Sequence, residues 1–108
     1  MGFFDFMDGR IGIVRWAVKW FKVCRESDPN IPDRYIIEHA LAARYSLLPL
    51  VGKENKLYFE ERRSEINCIH DLCLFVICLE LNPKYHSSIE SMSETVKIID
   101  KELKKHGF

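Results

Sequence analysis

Residues 72–79, Leu-Cys-Leu-Phe-Val-Ile-Cys-Leu, are eight apolar side chains in succession. In a chain of 108 residues such a run belongs at the centre of the fold. The segments on either side carry their apolar residues at helical spacing. Together they predict an all-α fold: a compact four-helix array or bundle around one buried helix, with a short aromatic N-terminal arm. The run is too short to cross a bilayer. Extending it meets His70, Asp71 and Glu80, so no transmembrane segment is expected.

Residues 1–9 read as the arm and residues 10–108 as a single helical domain, the natural number at this length. In the arm, Phe3, Phe4, Phe6 and Met7 need cover. Phe at position 6 does not fit the myristoylation pattern. The first helix is expected over about residues 10–26. Arg15, Lys19, Lys22 and Glu26 make one polar stripe along it. The remaining arc, which includes Trp16, Trp20 and Phe21, is wider than one core-facing stripe requires. Part of it should therefore face another element or another chain. Pro29 and Pro32 end this helix. The second spans about 33–48, with Ile36, Ile37, Ala40, Leu41, Tyr45, Leu47 and Leu48 on its apolar side.

Residues 53–66 form the most charged stretch and read as an exposed helical turn or irregular link, tethered by Leu57, Tyr58 and Phe59. A third helix is expected over about 65–81, stopped by Asn82-Pro83. A fourth runs from near Ser87 to about Lys105, where Ser87 and Glu90 fit a capping box. Ile89, Met92, Val96, Ile99 and Leu103 form its bundle-packing stripe, and Gly107 suits the cap.

Charge and cysteine content narrow the function classes. Sixteen basic residues balance sixteen acidic ones. A neutral chain has no general attraction to nucleic acid or to an acidic membrane. Arg62-Arg63 is flanked by Glu60, Glu61 and Glu65, which would repel phosphate. Peripheral lipid contact by the basic, tryptophan-bearing side of the first helix is physically allowed, but no basic excess elsewhere sustains it. Cys68, Cys73 and Cys78 follow at intervals of five. Neighbours in that series point about 140° apart on a helix, which disfavours an internal disulfide. The spacing also lacks the close pairs of structural zinc sites. No secretory leader pattern opens the chain, so a cytoplasmic, reducing setting is expected.

The candidate metal ligands are His39, His70, Asp71 and Asp100. In part they resemble the HD phosphohydrolase family, all-helical enzymes that coordinate metal with a His, a later His-Asp pair and a further Asp. The run Ile36-Ile37-Glu38-His39-Ala40-Leu41-Ala42-Ala43 is similar to the helix that holds the first family histidine. The resemblance implies a divalent metal and phosphoester cleavage by an activated water. The chain departs from the pattern where Leu72-Cys73-Leu74-Phe75 replaces a small or glycine-containing turn, and Asp100 lies early. Asp71 is expected to lean toward the apolar side of its helix. Its competing assignment is a first-turn carboxylate with ordinary local partners.

The reading preferred from sequence is a non-catalytic interaction or self-assembly module without cofactor. Phe3, Phe4, Phe6, Trp16, Lys19 and Trp20 form its contact surface, and its partner is a second copy or another protein. Trp side chains favour places where an apolar body meets a polar edge. The metal-dependent hydrolase is the rival. A structural module with no site of its own, serving inside a larger assembly, is the third option.

Overall fold

The computed structural model describes residues 8–81 and 89–108. All their regular structure is helical: α1 (Gly9–Ser27), α2 (Asp33–Leu47), α3 (Lys53–Arg62), α4 (Ile69–Leu81) and α5 (Ile89–Lys105). A 3-10 turn over Arg63–Glu65 follows α3.

The octet lies inside α4. Leu72, Cys73, Val76 and Ile77 are fully buried, and Phe75 and Leu79 nearly so. Among the described residues, α4 alone packs against all four other helices. The helical backbone makes this burial possible, because it satisfies its own N–H and C=O groups before entering the apolar interior. Each large aliphatic or aromatic side chain so buried contributes about 1.5–3 kcal/mol relative to exposure.

α1 crosses α2, α4 and α5. Ile13, Val14, Ala17, Val18 and Phe21 form its buried stripe. The polar stripe Arg15, Lys19, Lys22 and Glu26 faces water as expected. Asp8 caps the helix by accepting from the backbone N–H of Arg10 at 2.8 Å. The Arg10 guanidinium, itself only 3% exposed, donates to Asp8 and to the Thr95 hydroxyl at 3.0 Å. This polar clamp fixes the start of α1 against α5.

The sequence reading expects four helices, whereas the described residues contain five. Charged residues 53–62 form α3, a ten-residue helix, which favours the helical alternative over the irregular link and extends it beyond one turn. Two aromatic residues decide this locally. Tyr58 stacks on Phe75 of α4 at 5.6 Å, and Phe59 meets Tyr45 edge-on at 5.3 Å. Leu57, expected as a third tether, is exposed. Arg34 then holds the exit of α3 by donating to the carbonyls of Arg63 and Ile66 at 2.6 and 2.7 Å. Two aromatics in ten residues leave too sparse a stripe for periodicity to announce a helix.

α5 buries Thr95, Ile99, Glu102 and Leu103. Its C-terminus is a Schellman motif: Phe108 N–H bonds the Leu103 carbonyl at 2.9 Å, and Gly107 N–H the Lys104 carbonyl at 3.2 Å. Gly107 sits at φ +85°, where a side chain would be strained. The Phe108 ring then meets Phe21 of α1 edge-on. Ser87, the expected cap of the other end, lies outside the described residues.

Candidate interaction surface

α1 has more apolar side chains than the core can take. Once Ile13, Val14, Ala17, Val18 and Phe21 are buried, Trp16, Trp20 and Val23 remain on an adjoining face at spacings of four and three. Both tryptophans are half-buried against the core edge, and Val23 is 51% exposed. With Lys19 they line a shallow, mainly apolar groove of about 330 Å³. Three of the sequence-predicted contact residues, Trp16, Lys19 and Trp20, thus come together. Phe3, Phe4 and Phe6 lie outside the described residues.

One end of the groove is built across helices. The Arg44 guanidinium of α2 lies over the Trp16 ring, 4.6 Å from its centroid, in cation–π contact. Arg44 also donates two hydrogen bonds to Glu80 of α4, one of them at 2.6 Å. The Tyr45 hydroxyl donates to the same carboxylate at 2.9 Å. The Glu80 hydrogen bond raises the Arg44 pKa against the opposing effect of burial. Burial, reinforced by Glu80, pushes the Tyr45 phenol up. Trp16 therefore rests on a charge-neutral Arg–Glu–Tyr network that joins α1, α2 and α4. Sequence alone could place neither Arg44 nor Glu80 there, since the two are far apart along the chain.

A second apolar feature adjoins this end. Leu47 and Leu48 were expected on the core side of the second helix, but Leu47 is 81% exposed and Leu48 is 54% exposed. Val51, in the α2–α3 corner, is 79% exposed. The physical reason is the corner itself. Pro49 and the positive φ of Gly52 turn the chain, and connecting segments of this kind run over the surface.

The metal candidates do not assemble. His39 is exposed on α2. Asp71 is also exposed, which corrects the expectation that it leans inward. It occupies the first turn of α4, where its backbone N–H faces the Cys68 sulfur at 3.5 Å. His70 Nε2 does approach Asp100 Oδ1 at 3.0 Å, a contact that joins α4 to α5. Among the described residues, however, no three His, Cys, Asp or Glu side chains gather as a metal site. A divalent ion needs more donors than this pair supplies.

Cys68, Cys73 and Cys78 offer no activated nucleophile. Burial pushes the Cys73 thiol up to about 12 and raises Cys68 and Cys78 as well. A protonated thiol is a poor nucleophile. A separate open groove of about 420 Å³ runs between α3 and α5, over α4, and includes Tyr58, Arg62, Asp71 and Cys78. Its polar groups are already engaged or solvated: Arg62 pairs with Glu65 at 3.2 Å. Among the described residues, no helix is long and apolar enough to cross a membrane.

No protein-family model, curated protein or solved structure matches this chain.

Proposed function

We propose that this chain is a small, non-catalytic, self-associating interaction module whose contact surface is the aromatic face of α1. The observation that carries this reading is the groove of Trp16, Lys19, Trp20 and Val23, apolar along its floor and basic at its rim. Interface centres are enriched in tryptophan and ringed by polar groups. Arg44 and Glu80 hold Trp16 in place, so docking would cost little side-chain entropy there. The zero net charge lets two copies approach without general repulsion. None of the four cysteines is in a disulfide, which suits a reducing, cytoplasmic setting.

The test is molecular size across a concentration series, read beside thermal unfolding. Wild type should pass from monomer to a larger species as concentration rises. Trp20→Glu should shift that transition to higher concentration far more than it lowers the unfolding midpoint. A wild type that stays monomeric at every concentration would sink the reading.

A further inference from the structure

We infer that the α1 groove is filled by the α2–α3 corner of a second copy, and that the second copy's groove takes this chain's corner in return. This rests on the self-association proposed above and adds which residues meet.

The corner is the projecting half of the contact. Leu47, Leu48 and Val51 are the largest cluster of aliphatic side chains that the described chain leaves in water. Exposed apolar clusters of this kind mark binding surfaces on soluble domains. The groove is the receiving half, open and floored by Trp16, Trp20 and Val23. Its volume of about 330 Å³ has room for aliphatic side chains.

Their placement on the molecule favours a second copy over a foreign partner. α1 and α2 run antiparallel: Arg25 meets Asp33 at one end of the pair, and Trp16 meets Arg44 at the other. From the Trp16–Arg44 contact, Trp20 and Val23 lie one and two turns along α1 in one direction. Leu47 and Leu48 lie one turn along α2 in the opposite direction, about 5 Å away. Projection and groove therefore flank one point. A twofold axis passing near that point exchanges them, so each corner enters the opposite groove in an isologous contact. Two Arg44 side chains would then come near the axis, and each is already neutralised by its own Glu80.

The rim offers one complementary pair. Lys19 stands on the groove wall, and the corner carries Glu54 near Val51, with Lys53 next to it. Lys19 and Glu54 are both exposed, and among the described residues neither forms an ion pair. The twofold arrangement sets Lys19 of each copy against Glu54 of the other, giving two symmetric rim pairs.

The experiment is sedimentation of the full chain over a concentration range, with four variants. Leu47→Asp combined with Val51→Asp should weaken dimerisation by about tenfold or more. Lys19→Glu and Glu54→Lys should each weaken it by about threefold, as expected for exposed ion pairs. The double reversal K19E/E54K should recover most of that loss. Thermal midpoints within a few degrees of wild type confirm that the variants fold. If the corner variant does not fold, zero-length carbodiimide cross-linking of wild type decides: an intermolecular Lys19–Glu54 product supports the inference, and its absence overturns it. A dimer indifferent to the corner variant, or a double reversal no better than the singles, overturns this inference while leaving self-association standing. A monomeric wild type overturns both.

Discussion

Two apolar runs in this chain meet opposite fates. Leu72–Leu79 on α4 is the most buried stretch of the described residues, whereas Leu47–Val51 at the α2–α3 corner stands mostly in water. Side-chain hydrophobicity does not separate them. Backbone geometry does. The α4 run carries its hydrogen bonds with it into the core, but the corner contains a proline and precedes a glycine with φ +91°. The turn leads the chain away from the core and leaves its side chains at the surface. Burial follows from whether the main chain can leave water, and the side chains of a turn are carried outward with it.

Substitutions test that contrast. Leu72→Ala or Ile77→Ala in α4 should destabilise the monomer by about 2–5 kcal/mol, the cost of a cavity in a close-packed core. Denaturant unfolding with an unchanged slope would check this. A loss below 1 kcal/mol would show that α4 is less tightly enclosed than its burial indicates.

Arg10→Met should cost less, about 1–3 kcal/mol, because Thr95 and the Asp8 carboxylate lose a donor while Asp8 keeps some access to solvent. The same unfolding assay reads it. Gly107→Ala should cost about 1 kcal/mol, since the Schellman turn holds residue 107 in the left-handed region.

Glu102 makes the contrast dependent on pH. Burial works to raise its pKa. Hydrogen bonds from Arg15 and His106, with the nearby Lys105 charge, outweigh burial and leave it lowered below its ordinary 4.5. The unfolded chain therefore binds this proton more readily than the folded one, and stability rises with pH across the window. The contribution is complete above the ordinary carboxylate range and disappears as pH falls through the lower folded value. Glu102→Gln should flatten the acid limb of a stability–pH curve recorded by urea unfolding. An unchanged limb would assign the acid loss to other carboxylates.

The smallest effect on the monomer should come from the corner. Leu47→Ser should alter its stability by no more than about 0.5 kcal/mol, as for an exposed site. A loss comparable to that of Leu72→Ala would mean that Leu47 packs inside the fold, and the contrast between the two runs would fail.

Much of the architecture was legible along the chain. The octet identified the central helix, because eight consecutive apolar residues have nowhere else to go. Pro29, Pro32 and Pro49 placed the breaks through backbone restrictions that act locally. Gly107 announced its cap for the same reason. α3 was legible only as a helical turn or a link, since Tyr58 and Phe59 acquire their meaning as anchors only against Phe75 and Tyr45. At the candidate surface, the excess apolar arc of α1 singled out Trp16, Lys19 and Trp20. His39, His70, Asp71 and Asp100 suggested a metal site by type and order, yet among the described residues His70 and Asp100 meet without a third ligand, while His39 and Asp71 face solvent.

What the sequence by itself determined was the helical class, the identity of the buried helix and the surplus of apolar surface on α1. Each of these depends on periodicity or on a residue's own backbone preference, and both act within a few positions. The tertiary structure alone decided that Arg44 and Glu80 would support Trp16, that the α2–α3 corner would project beside the groove, and that only His70 and Asp100 of the would-be metal ligands would meet. Those outcomes turn on which helix faces cross, and no spacing along one segment encodes the angle at which another segment meets it.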